Sequence, residues 1–265
     1  VILGDNDAMN TSTGLLICGH GSRDPQAQVL FCAWAAKLQQ RTAFVHWEVG
    51  FMEIARPTIA DAARALVAKG LEHIVVIPGF IMGAAHTLED IPAILRELKN
   101  DSLFENVQID YAHRIANHPL LLQAAAARIK ESLGSTNADL ARSHLLVVAH
   151  GSSDIKANHD ILRLTEKLQQ QLNIGSATAA FSNVCSPRVE EALAQLDTKR
   201  IQRLIVLPYF LLPSYPVRQL YLLADQFAVQ HPGLQVLKAR CLDDHSSTLD
   251  AFVDVLQKTL TDSPP

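Results

Sequence analysis

Leu15-Leu16-Ile17-Cys18-Gly19-His20-Gly21-Ser22-Arg23-Asp24 returns 130 positions later as Leu145-Leu146-Val147-Val148-Ala149-His150-Gly151-Ser152-Ser153-Asp154. Each copy is a short apolar run ending in a His-Gly-Ser turn, the pattern of a buried strand entering a loop. The same offset aligns Phe51 and Pro57 with Phe181 and Pro187, Ile77-Pro78 with Leu207-Pro208, and Phe80 with Phe210. Separated landmarks held in one register mark a duplicated domain.

Working outward from the repeat, each half alternates apolar or β-branched runs with amphipathic stretches. The first half predicts strands near 15–19, 44–51, 73–81 and 107–112, and helices near 25–40, 57–69, 87–99 and 118–132. The second predicts strands near 145–149, 176–181, 203–211 and 235–240, with helices near 156–172, 187–197, 214–229 and 246–260. Parallel strands need crossover connections, so this alternation implies two duplicated α/β domains, each a mostly parallel sheet flanked by helices. Residues 1–14 read as an N-terminal extension or tag remnant. The first domain takes 15–133, the polar stretch GSTNADLARS at 134–143 is the linker, and 144–265 is the second domain.

A charged fraction of 19% and a net charge of −4, with no run of Lys and Arg, argue against a nucleic-acid partner. No apolar run reaches the roughly 20 residues that span a bilayer, and no secretory leader opens the sequence, so a cytoplasmic protein without membrane contact is expected. Cys18, Cys32, Cys185 and Cys241 form no CxxC pair, which speaks for reduced, buried thiols rather than a zinc, iron–sulfur or thioredoxin-like site.

In open parallel sheets ligands bind beyond the carboxyl ends of the strands. His20 follows the first strand, Glu53 the second, and His86 lies in the loop after the third. Any one of them alone reads as a hydrogen-bonded loop residue; three at one sheet edge read as a site. Two imidazoles and a carboxylate suit Co²⁺, Fe²⁺, Ni²⁺ or Zn²⁺ and leave coordination positions open, as metal transfer or metal catalysis requires. Gly19, Gly21 and the small-residue loop from Gly83 to His86 would let a flat ligand approach the backbone. At the same offset Glu53 becomes Asn183 and His86 becomes Pro216, so the chemistry belongs to the first half.

The stretches LLICGHGSRD, VGFMEIARPTI and IVVIPGFIMGAAHTLEDIP, in that order, resemble the class II tetrapyrrole chelatases that include sirohydrochlorin cobaltochelatases and ferrochelatases. With the degenerate second repeat, the resemblance is to the long two-domain form and covers nearly all of 15–260. It implies ATP-independent insertion of a divalent metal, Co²⁺ or Fe²⁺ and possibly Ni²⁺, into sirohydrochlorin for cobalamin or sirohaem synthesis, in an active cleft between two chelatase-like domains. It implies no permanently bound cofactor. His20 and His86 match the family's paired histidines and Glu53 its acidic residue, giving both the catalytic and the metal-binding set. The tail lacks the Cys-rich or His-rich segment of some long members, so no iron–sulfur cluster or metal-storage role is implied.

Sirohydrochlorin carries many carboxylates, for which Arg23 and Arg56 are candidate partners, the alternative being surface charge or a helix-terminal ion pair. Ser22, Gly83 and Met82 complete the candidate substrate-binding set. His113, Arg114 and Arg218 are weaker candidates. Phe80, Met82, Leu88, Phe210 and Tyr215 could wall the macrocycle, although Phe80 and Phe210 fit core packing equally. His73 and His144 are expected to be exposed, and His46, His118, His159, His231 and His245 to be structural or surface residues.

Two other readings stand beside this one. A hydrolase would use Ser22, Ser152 or a nucleophilic His20, yet neither serine lies in a G-x-S-x-G elbow. A noncatalytic tetrapyrrole or metal carrier would use the same cleft without turnover. Because one chain supplies both halves, a monomer is expected.

Overall fold

A computed structural model describes residues 12–81, 85–112, 115–134 and 140–262, with the side chains of 85–88 outside that description. Four parallel strands, β1 (Thr13–Gly19), β2 (His46–Phe51), β3 (His73–Pro78) and β4 (Gln108–Tyr111), form a first sheet in the order β2-β1-β3-β4. A second sheet repeats the arrangement with β5 (Ser143–Ala149), β6 (Ser176–Phe181), β7 (Arg203–Pro208) and β8 (Gln235–Lys238), ordered β6-β5-β7-β8. The registers correspond: Gly14 pairs with His46 as His144 pairs with Ser176. The duplicated α/β architecture inferred from the sequence is therefore the architecture found.

The helices are α1 (Pro25–Gln39), α2 (Ile59–Val67), α3 (Ala85–Leu98), α4 (Pro119–Leu133), α5 (Ile155–Leu172), α6 (Val189–Ala194), α7 (Tyr215–Gln230) and α8 (Ser246–Asp262). Their starts are written locally. Asp24 and Asp154 accept the N–H of Gln26 and Lys156 at the N-termini of α1 and α5. Thr58 and Asp61 form a reciprocal capping box on α2. The central strands are apolar on both faces, as a parallel sheet covered on both sides demands: Leu15, Leu16, Ile17 and Cys18 are all fully buried.

The compact units cut the chain elsewhere than the sequence repeat does. One comprises 1–115 with 249–265, the other 116–248. Helix α4, placed by sequence at the end of the 15–133 domain, lays its buried Leu121, Ala124, Ala125 and Ile129 in the second unit, where it contacts β7 and β8. Helix α8, last in the sequence, belongs to the first unit, where Phe252 packs edge-on against Trp34 and Asp250 pairs with Arg41. Amphipathic spacing announces that a helix is buried; it does not say against which of two similar sheets.

The expected linker is shorter than its polar composition suggested, since β5 already begins at Ser143, which is 1% exposed. That early start also overturns the exposed reading of His144. Its ring is buried, bonded through Nδ1 to Ser176 Oγ at 2.8 Å, and burial lowers its pKa to about 4. His73 is likewise partly buried, held between Thr13 and Asp110 at the start of β3. Cys18 and Cys241 are buried thiols and Cys185 is half-buried, whereas Cys32 is exposed, contrary to the expectation for all four. Among the described residues no helix is long and apolar enough to cross a membrane.

Candidate functional site

Strands β1 and β2 are neighbours in register, with Gly19 opposite Phe51, so the residues after them emerge side by side at the carboxyl edge of the first sheet. Met52 donates its N–H to the Gly19 carbonyl at 2.9 Å and Glu53 to the His20 carbonyl at 3.2 Å, extending the ladder past the strands. The side chains then meet: His20 Nδ1 lies 3.4 Å from Glu53 Oε1. They are 49% and 58% exposed, open enough for a ligand to reach both.

The turn beyond is strained. Ile54 has φ 67°, and Ala55 donates its N–H to the Glu53 carbonyl at 2.6 Å, closing a γ-turn that β-branched residues rarely enter. Gly21 makes room for it, with φ 98° and a geometry in which any Cβ would lie 1.9 Å from the Glu53 carbonyl oxygen. The two glycines expected to admit a ligand thus serve the protein's own packing. A Cβ on Gly19 would meet Phe31 and Phe51, and Gly21 admits the backbone of Glu53.

The remaining candidates fall into three groups. Ser22 is committed to the loop, its Oγ accepting the Asp24 N–H at 3.1 Å and its carbonyl accepting Gln28 Nε2 at 2.8 Å. Arg23 is exposed on the same loop, while Arg56 pairs with Asp61 at 2.9 Å, the helix-terminal ion pair that the sequence left open as the alternative. His86 is the second residue of α3, and its side chain lies outside the described residues, as do Leu88's side chain and Met82, Gly83, His113 and Arg114 altogether. Among the described residues no group of three or more His, Cys, Asp or Glu could hold a metal. What stands assembled is one imidazole and one carboxylate. Cys18, two residues before His20, adds nothing, because complete burial raises its thiol pKa and keeps it protonated.

The second repeat copies the backbone and changes the chemistry. Asn183 donates its N–H to the His150 carbonyl at 2.9 Å, Cys185 donates to the Asn183 carbonyl at 2.8 Å, Val184 has φ 68° and Gly151 has φ 87°. A carboxamide replaces the carboxylate, and Pro216, the second residue of α7, stands where His86 stands in α3. The strained turn was the signal missed in the sequence: Ile54 and Val184 share an offset, yet neither residue type suggests a positive φ.

A family model described as CbiX matches the chain twice, over residues 14–132 and 144–259. The sirohydrochlorin cobaltochelatase of Priestia megaterium is 27% identical over 227 residues, 83% of this chain and 71% of that protein. The sirohydrochlorin ferrochelatase of Bacillus subtilis (strain 168) is 23% identical over 249 residues, 94% of this chain and 92% of that protein. Among solved structures, SirB from Bacillus subtilis with Fe3+ superposes with a TM-score of 0.81 at 23% identity, covering 94% of this chain and 95% of that one. At that identity the superposition speaks for the fold.

Proposed function

The chain belongs to the CbiX family, and from that premise we propose that it is a chelatase inserting a divalent metal ion into sirohydrochlorin without ATP, for cobalamin or sirohaem synthesis. The metal is a substrate, and no resident cofactor takes part. The observation that carries the reading to particular residues is the contact between His20 and Glu53 at the carboxyl edge of the first sheet. Relatives named for cobalt and for iron chelation support the substrate class.

The reaction exchanges two pyrrole N–H protons for M²⁺, so the protein must present a partly desolvated metal and receive two protons. The Glu53 carboxylate beside Nδ1 favours the tautomer protonated there, which leaves the Nε2 lone pair of His20 for the metal. When the metal moves to the macrocycle, that lone pair is free to accept a pyrrole proton, and Glu53 stabilises the imidazolium. His86, on the first turn of α3, is assigned as the second metal ligand and proton acceptor. Arg23 is assigned to the substrate's carboxylates; Arg56 could join it only by leaving Asp61. We place the reaction in the cytoplasm, a choice supported by four free thiols, and assign it to a monomer.

The test is anaerobic turnover of metal-free sirohydrochlorin with Co²⁺, Fe²⁺ and Ni²⁺, followed optically. Multiple turnovers are expected, fastest with Co²⁺. Stoichiometric binding of macrocycle or metal without turnover would replace the enzyme with a carrier.

A further inference from the structure

The loop that carries His20 is held at fewer points than its copy in the second repeat, although the chain builds both in the same way. Ser22 and Ser152 each accept, through Oγ, the N–H of an aspartate two residues on, Asp24 and Asp154, at 3.1 Å. Those aspartates cap α1 and α5, and the fourth residue of each helix reaches back to the loop with a carboxamide. Gln28 Nε2 donates to the Ser22 carbonyl at 2.8 Å, and Asn158 Nδ2 to the Ser152 carbonyl at 2.7 Å. The copies part at the next bond. Asn158 Oδ1 also accepts the Ser152 N–H at 2.9 Å, so the shorter side chain grips its serine at both ends. Among the described residues the Ser22 N–H meets no acceptor. Burial follows the same division, Ser152 being 2% exposed and Ser22 half-buried.

The unheld N–H belongs to the peptide that joins Gly21 to Ser22, one peptide from His20. On the other side of that peptide the His20 carbonyl accepts the Glu53 N–H at 3.2 Å, where the His150 carbonyl accepts the Asn183 N–H at 2.9 Å. Such freedom matters to a group that must first bind a metal ion and then let it go. A support that fits only the loaded protein stabilises that state and not the transfer, which slows the step. We propose that Gln28 is a positioning residue for metal transfer, holding the His20 loop at the Ser22 carbonyl alone and leaving the Gly21–Ser22 peptide free to turn as the ion departs. Asn158 shows the alternative, a loop clamped at both ends of its serine beside a histidine whose carboxylate partner has become Asn183. In naming a metal ion as the load this rests on the chelatase reading; the single hold does not.

The experiment compares the full chain as wild type, Gln28→Asn, Gln28→Ala and Asn158→Gln, each checked for native circular dichroism. Amide hydrogen exchange at Ser22 and Ser152 is read by NMR, Co²⁺ affinity by calorimetry without macrocycle, and kcat and KM by the optical assay with metal-free sirohydrochlorin. In the wild type the Ser22 amide should be about tenfold less protected than that of Ser152. Gln28→Asn should bring Ser22 to the protection of Ser152, keep Co²⁺ affinity within about twofold, and lower kcat about tenfold at unchanged KM for sirohydrochlorin. A general loss of structure would instead lower metal binding and turnover together. Gln28→Ala, which frees the Ser22 carbonyl as well, should weaken Co²⁺ binding about threefold. Asn158→Gln should release the Ser152 amide to exchange without moving kcat or Co²⁺ affinity. Equal protection of the two amides in the wild type overturns the proposal, as does wild-type kcat in a Gln28→Asn chain whose Ser22 amide has become protected. Should Gln28→Asn not fold, a Ser152 amide still protected in Asn158→Gln, or wild-type Co²⁺ affinity in Gln28→Ala, overturns it. The chelatase reading fails separately, by absence of wild-type turnover, which leaves the exchange and Co²⁺ measurements standing.

Discussion

Glu53 is joined to His20 twice, once through its backbone N–H to the His20 carbonyl at 3.2 Å and once through its carboxylate, 3.4 Å from the imidazole. The first link fixes where the second can occur. Because both side chains are about half exposed, they contribute little to folding. His20→Ala and Glu53→Gln should each leave unfolding free energy within about 0.5 kcal/mol of wild type and lower chelation about 100-fold. Urea titration and the optical assay measure the two effects; near-normal turnover in both variants would remove the pair from the mechanism.

The turn that aims Glu53 should trade stability for activity. Ile54 is 58% exposed, so Ile54→Gly loses little packing while relieving the positive φ, and a gain of about 0.5–1 kcal/mol is expected. Turnover should fall as Glu53 loosens. Val184→Gly should give the same gain with no fall in turnover. Thermal melts and rates on the two variants separate the effects; a fall in turnover for both would show that the turn is not specific to Glu53.

Buried His144 sets an acid limit on stability. Its folded pKa, about 4, lies below the ordinary 6.5, so the unfolded chain binds the proton more readily. The stabilisation is complete above pH 6.5 and is lost as pH falls toward 4, by at most about 3 kcal/mol. His144→Asn should flatten that part of the stability profile. Urea titrations at pH 7 and 4.5 provide the comparison, and an unchanged slope in the variant would assign the acid sensitivity to other groups.

Phe252 is fully buried against Trp34, with ring centroids 4.8 Å apart. Phe252→Ala should cost the first unit about 3–5 kcal/mol. Both tryptophans, Trp34 and Trp47, lie in that unit, so their fluorescence reports its unfolding alone. A denaturant midpoint that does not move in fluorescence would mean that α8 contributes no core there.

The repeat, the parallel sheets and the adjacency of His20 and Glu53 were legible in the sequence, because strand ends in register place those residues beside each other whatever the details. Less came through where the outcome depended on contacts across the fold. Arg56 looked available for substrate until Asp61, five residues on, proved to hold it. His144 looked exposed because its strand was expected to begin at Leu145, and a start two residues earlier puts it inside. The exchange of α4 and α8 left no trace in periodicity, since both helices present an ordinary apolar stripe.

That exchange also sets an order of events during synthesis. Residues 116–248 are contiguous, so a growing chain can close the second unit as soon as they leave the ribosome, while the first unit must wait for Phe252, about 200 residues after Trp34. The half made first is finished last. A nascent chain stopped before residue 249 would carry His20 and Glu53 on an unfinished core, so the end of the chain completes the unit on which that pair stands.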